Sequence, residues 1–255
     1  MIGAIIGDIA GSRFEFDPTN DYNFTLFTKE CSFTDDTICT VAVADAIMRK
    51  ADYGETMHQW CNKYPFPMGG YGGRFAAWVH SQNPQPYGSF GNGAAMRVSP
   101  VTRAFDIEKD VLEQAEATAA CTHNHREGIK GAQTTALAGW MARQEKDKSK
   151  IIDKCLQFSG YLINNIRLED VQNRFDETCQ GTVPVALWII QQSESFEDAI
   201  RKAVSLGADA DTLGAIVGGI AENLWGVPDE IAEQTMTFLP DEMKNVVDKF
   251  YKTFG

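Results

Sequence analysis

Apolar residues recur at three- and four-residue spacing along nearly the whole chain, and no series of segments alternates apolar with polar residues. That pattern is the signature of amphipathic helices, and it leaves too few period-two segments for a sheet. Strand–helix alternation is also missing, so an α/β layer architecture is excluded and an all-α globule is expected. Helices are predicted over residues 1–12, 34–51, 55–63, 74–82, 94–104, 108–121, 126–145, 148–164, 168–177, 182–192, 195–206, 211–224, 228–236 and 240–253. Residues 22–28 are the one candidate for an extended piece, since Phe24 and Leu26 alternate with polar neighbours. Pro184 and Pro228 suit the starts of their helices, where a missing N–H costs nothing. No internal repeat or low-complexity linker interrupts the 255 residues, so one compact domain over 1–255 is the simplest organisation.

The net charge of −12 argues against non-specific binding to nucleic acid and against docking on anionic membranes. The apolar start MIGAIIGDIAGS lacks a basic leader and is interrupted by Asp8, so it does not read as a signal peptide. Six cysteines are scattered without any CxxC pair, as expected for reduced, buried thiols in a cytoplasmic protein.

Two acidic clusters carry the chemistry. In FTDDT, Thr34 is a good N-cap and places Asp35 and Asp36 in the first turn of a helix. In GADADT, Asp209, Asp211 and Thr212 occupy a second helix start. Each alone is compatible with a capped helix decorated by acids. Together they offer two oxygen-rich sets at opposite ends of the chain, and adjacent carboxylates repel unless a cation lies among them. Oxygen donors suit hard divalent ions, and two facing sets could hold a pair. The helix after the second cluster carries Gly214, Ala215, Gly218 and Gly219. So many small residues cost helix propensity, at about 1 kcal/mol per Gly against Ala, which close packing or a ligand must offset.

These residues resemble the ADP-ribosylglycohydrolase family over nearly the whole chain. The similarity runs in order through IGDIAGSRFEF at 6–16, FTDDT at 33–37, GGYGGRFAAW at 69–78, SFGNGAAMRVSP at 89–100, TH at 122–123, TVPVALW at 182–188 and GADADTLGAIVGGIAE at 207–222. The resemblance implies an all-α orthogonal helix bundle with two Mg²⁺ or Mn²⁺ ions. Their ligands would be Thr34, Asp35, Asp36, Asp209, Asp211 and Thr212. It implies hydrolysis of the glycosidic bond joining ADP-ribose to an acceptor. Glu15 falls where family members carry a glutamate; the catalytic groups are expected to be Glu15 and Asp36, with proton transfer open between Glu15 and an aspartate and Asp36 hypothesised to serve as both ligand and base. Substrate contacts would come from Gly72, Gly73, Ser89, Phe90, Gly91, Asn92, Gly93 and His123. The implied partner is an ADP-ribosylated protein or small-molecule conjugate, with arginine, serine, a nucleic acid or an O-acetyl group open as the leaving side. Ala208 and Ala210 replace residues common in relatives, but both stay small.

Read without the resemblance, the same residues support part of this. Glu15 lies between Phe14 and Phe16, a setting that raises a carboxyl pKa. Gly91 and Gly93 around Asn92, just before a helix start, make a backbone nest suited to phosphate oxygens. His123 and His125 form an HxH pair with no zinc pattern around it. Trp78 reads as core, and Arg97 as a structural arginine. Two other functions fit the clusters: an ADP-ribose-binding module without turnover, and a two-metal nucleotide pyrophosphohydrolase.

Overall fold

The computed structural model describes residues 1–255. It contains fifteen α-helices and no strand. They are α1 (Ile2–Gly11), α2 (Asp35–Arg49), α3 (Tyr53–Lys63), α4 (Gly73–Val79), α5 (Gly93–Met96), α6 (Val101–Ala104), α7 (Glu108–Ala120), α8 (Arg126–Gln144), α9 (Lys148–Ser159), α10 (Leu168–Val171), α11 (Cys179–Gln192), α12 (Phe196–Val204), α13 (Ala210–Trp225), α14 (Asp229–Met236) and α15 (Asp241–Phe254). The all-α expectation holds.

The centre of the molecule is the antiparallel-spaced contact of α1 with α13, the most extensive helix pair in the fold. Both helices are almost wholly buried. Their small residues interlock: Gly7 lies against the backbone of Gly214, and Gly3 against that of Gly218. The low helix propensity of this stretch is therefore offset by backbone-to-backbone packing and not by a ligand. One continuous cluster of 63 buried apolar residues surrounds the pair. Glu222 of α13 ties it to its surroundings, accepting from the Gly3 N–H at 2.9 Å, from the Met1 ammonium and from the Tyr251 hydroxyl of α15.

Several expected boundaries move, each for a local reason. Residues 22–28 form turns and bends, not a strand, and the lone β-bridge joins Gly91 to Thr178. The helix expected over 94–104 splits into α5 and α6 around Pro100, which has no N–H to continue the ladder. The helix expected to reach 164 stops at Gly160, whose φ of 71° makes a left-handed C-cap. The one expected over 168–177 shrinks to α10. Asn173 there turns left-handed at φ 57° and gives its N–H to the Leu206 carbonyl at 3.0 Å. Thr178 starts α11 earlier than expected, its side chain accepting from the Gly181 N–H. Pro184 consequently sits inside that helix and not in its first turn. The carbonyl it leaves without a helical partner belongs to exposed Gln180, which water can reach.

The fold delivers the chemistry-bearing residues to one place. The C-terminal half of α1 and the N-termini of α2 and α13 meet, and the loops before α4 and α5 close over them. Cys39 and Cys61 face each other with sulfurs 4.0 Å apart, and all six cysteines are free thiols. No helix is long and apolar enough to cross a membrane.

Candidate active site

Thr34 caps α2 as expected, its hydroxyl oxygen accepting from the Asp36 N–H. The cap is itself held by Asp8, a residue the motif reading passed over. Asp8 is fully buried on α1 and accepts four hydrogen bonds. These come from the Thr34 N–H at 3.0 Å, the Thr34 hydroxyl at 2.8 Å, the Thr37 N–H at 3.0 Å and the Thr37 hydroxyl. Burial raises its carboxyl to about 6, against the pull of those donors toward the ionised form. Asp8 thus fastens the first turn of α2 to α1 and sets the direction in which Asp35 and Asp36 project. The available signal was a charge interrupting an otherwise apolar helix, since an acid in that position must be satisfied from elsewhere in the fold.

The second cluster arrives on α13. Asp209 stands at its N-cap, but its carboxylate accepts from the Asn92 amide at 2.7 Å and not from the helix end. Asp211 accepts from the Thr212 N–H at 2.9 Å. The Thr212 hydroxyl donates across to Asp36 at 3.2 Å, so the two clusters touch directly.

Asp35, Asp36, Asp209, Asp211 and Thr212 line one end of a cavity of about 530 Å³. Glu15, Gly72, Gly73, Ser89, Phe90, Gly91, Asn92, Gly93 and His123 line the remainder. Thr34 alone of the expected site residues does not reach the wall; it is fully buried behind Asp36. Arg74, Tyr87 and Phe175 also face the space and were not foreseen. His125 is exposed and caps α8, while Trp78 is buried.

The electrostatics of the acidic end are one-sided. Burial first, and then neighbouring carboxylates, raise Asp35, Asp36 and Asp211 well above the usual range. Burial lifts Asp209 to about 6. Glu15, beneath Gly69, is lifted to about 8 by burial and by Asp211 and Asp8. The neighbouring charges that raise Asp35, Asp36 and Asp211 most are all carboxylates. In addition, Oδ1 of Asp36 is buried with no partner. An unpartnered buried acceptor inside a set of mutually repelling acids is the environment a hard cation relieves. No three His, Cys, Asp or Glu side chains converge closely enough to hold one ion unaided. Threonine hydroxyls, substrate oxygens and water would have to complete each shell, a mixture that Mg²⁺ and Mn²⁺ accept.

A pH dependence follows from these shifts. The folded-state values for Asp8 and Asp209 (about 6) and Glu15 (about 8) lie above their ordinary values of 3.8 and 4.5. The folded protein therefore holds protons that the unfolded chain releases, and the stability this contributes is full below about pH 4 and lost as pH rises through 6 and then 8. Melting temperature in chelator should fall between about pH 5 and 8, and Mg²⁺ or Mn²⁺ should flatten the fall. A melting temperature that rises over that range in chelator would contradict this electrostatic account.

The sequence profile of the ADP-ribosylglycohydrolase family matches residues 1–255. The chain is 24% identical to human ADP-ribosylhydrolase ARH3, over 91% of this chain and 86% of that protein. It is 26% identical to the ADP-ribosyl-[dinitrogen reductase] glycohydrolase of Rhodospirillum rubrum, over 90% and 85%. It is also 26% identical to the ADP-ribosylarginine hydrolase Tri1 of Pseudomonas putida, over 89% and 70%. Among solved structures, an ADP-ribosylglycohydrolase-related protein complex shares the fold with a TM-score of 0.73 at 22% identity, covering 100% of this chain and 97% of that one.

Proposed function

The chain belongs to the ADP-ribosylglycohydrolase family, and from that premise we propose that it is a divalent-metal-dependent hydrolase that releases ADP-ribose from an acceptor. The observation that carries the reading is the meeting of the two acidic helix starts, with Asp36 left one oxygen short of a partner. Thr34, Asp35, Asp36, Asp209, Asp211 and Thr212 are the proposed ligands of two Mg²⁺ or Mn²⁺ ions. Bound there, the ions would supply Lewis acidity and orient oxygens.

The chain's own groups do the rest. Asp8 takes the Thr34 hydroxyl proton, so the Thr34 oxygen, which also accepts from the Asp36 N–H, keeps one lone pair. Asn92 fixes one oxygen of Asp209. The glycine-rich wall from Gly91 to Gly93 leads into α5, and the segment at Gly72–Gly73 leads into α4. Nothing lies within 4 Å of a Cβ at Gly72 or Gly73, so a diphosphate can approach the backbone there, whereas the backbone at Gly91 and Gly93 is flanked by His123. Phe90 stands half-exposed at the wall, against the His125 ring at 5.3 Å, and offers an apolar face to a base. Hydrolysis breaks the bond from the anomeric carbon to nitrogen or oxygen, through a transition state with oxocarbenium character. Water adds at that carbon, and the leaving group takes up a proton. Glu15, which burial and its acidic neighbours push up to about 8, is placed to move it, and Asp36, whose ionised form a neighbouring cation would favour, to accept one from water.

The test is turnover of ADP-ribosylarginine, ADP-ribosylserine and O-acetyl-ADP-ribose, with and without Mg²⁺ or Mn²⁺, products resolved by mass. Metal-dependent release of intact ADP-ribose is expected from at least one. AMP plus ribose phosphate would identify a pyrophosphohydrolase instead. Binding of ADP-ribose with no product from any conjugate would identify a binding module.

A further inference from the structure

Set into the cavity wall at Arg97 and His123 is a buried polar chain that none of the proposed chemistry uses. Arg97 is fully buried yet charged, and its Nη2 donates to the Thr118 carbonyl at 2.8 Å and to the Thr122 hydroxyl at 2.7 Å. The Thr122 oxygen lies 2.7 Å from Nδ1 of His123. His123 lines the cavity, and its Nε2 lies beside Gly91 and Gly93: a Cβ at either would come within 3.4 Å and 3.2 Å of it.

The proton positions along this chain follow from the relative strengths of its donors and acceptors. A guanidinium only donates, so the Thr122 oxygen accepts from Arg97. The single hydroxyl proton of Thr122 then has Nδ1 of His123 as its side-chain partner. If Nδ1 carried a proton instead, the buried Thr122 hydroxyl would have only the weakly accepting Cys121 sulfur to donate to, a poorer partner than an imidazole nitrogen. Nδ1 is therefore the acceptor, and the neutral ring carries its proton on Nε2.

We propose that Arg97 and Thr122 are positioning residues that lock His123 as its Nε2–H tautomer, making it a fixed hydrogen-bond donor to an oxygen of the ADP-ribose unit lying along the 91–93 loop. The inference rests on the ADP-ribose reading of the cavity for its ligand, but not for its tautomer. The surroundings agree. Burial first, then Arg97 and Arg74, hold the His123 imidazole well below its ordinary pKa, so the ring stays neutral. Tyr87 packs beside it at 5.9 Å between ring centroids, with Arg74 over the far ring. An imidazolium would gain nothing from these neighbours, whereas a neutral N–H donor keeps its strength in a desolvated wall.

Long-range ¹H–¹⁵N spectra of histidine-labelled protein, with His123 assigned by a His123→Gln variant, read the tautomer directly. Wild type should show Nε2 protonated and Nδ1 bare throughout about pH 5 to 8, where an ordinary histidine titrates. Thr122→Val, which keeps the shape and removes the hydroxyl, should give a mixture of tautomers and weaken ADP-ribose binding about tenfold in the presence of Mg²⁺. Thr122→Ser should restore both, as a purely structural role for the side chain would not require. Arg97→Lys, which keeps a donor, should hold the tautomer better than Arg97→Met; if the latter does not fold, the Thr122 pair decides. A proton on Nδ1 in wild type, a titrating imidazolium, or a Thr122→Val protein that binds ADP-ribose as tightly as wild type would overturn the proposal. Wild type that fails to bind ADP-ribose at all would overturn the functional reading of the cavity, while the spectra still decide the tautomer.

Discussion

Asp36→Asn protein should release ADP-ribose at about a hundredth to a thousandth of the wild-type rate, and should melt at a higher temperature than wild type when divalent metal is chelated. The first effect follows from position. Asp36 receives the Thr212 hydroxyl on one oxygen and leaves the other buried and unpartnered among carboxylates. It is at once a proposed cation ligand and the acceptor for a proton from water, and loss of a group stabilising developing charge costs on the order of 10²–10³ in rate. The second effect follows from charge. Without metal, burial and the carboxylates of Asp211, Asp8, Asp35 and Asp209 all oppose ionisation of Asp36. Asparagine removes the cost of keeping this acid protonated among carboxylates at neutral pH, about 1–3 kcal/mol, worth roughly 2–4 °C per kcal/mol in a chain of this size. Adding Mg²⁺ should then stabilise wild type more than the variant. Turnover and thermal melts with and without chelator check both halves. Full activity with retained metal binding would remove Asp36 from the mechanism.

Gly7→Val should severely disrupt the fold, costing more than about 3 kcal/mol and yielding little soluble protein. A Cβ at Gly7 would overlap the carbonyl group of Gly214, and one at Gly214 would meet the carbonyl of Gly7. The obstacle is backbone on both sides, so no side chain can swing away and α1 must part from α13. Because α1 carries Asp8 and α13 begins with Asp211 and Thr212, the separation would also pull the two acidic clusters apart. Gly72→Ala is the control. Nothing lies within 4 Å of a Cβ there, and its φ is −53°, so denaturant stability should change by less than about 0.5 kcal/mol. Comparable stability loss in both variants would mean that the helix contact is not what makes Gly7 necessary.

Local signals in the chain carried helix identity and most helix starts. Thr34, Pro228 and the three- and four-residue periodicity placed α2, α14 and the long α8 and α13 within a few residues. Helix ends were less legible. The stop at Gly160 uses a left-handed cap that could have been read from the glycine itself. The stop before Asn173 depends on a bond to the Leu206 carbonyl, 33 positions further on. The candidate site divides in the same way. The acids of both clusters, the 91–93 loop and His123 were visible as residue types in order, and all of them line one cavity. Arg74, Tyr87 and Phe175 were not, because nothing in their own segments distinguishes a cavity wall from a surface.

By itself, then, the sequence determined which residues could be helical, which carried negative charge at helix starts, and which lacked the bulk to keep two helices apart. Those are properties of single residues and their near neighbours. Tertiary structure alone decided that Asp8 would hold the Thr34 cap, that the Thr212 hydroxyl would reach Asp36, and that buried Arg97 would dictate through Thr122 where the proton of His123 sits. The physical reason is range. Helix propensity and capping act over a few residues, whereas a buried hydrogen bond or a repulsion between carboxylates depends on distances that exist only once α1, α2 and α13 have packed.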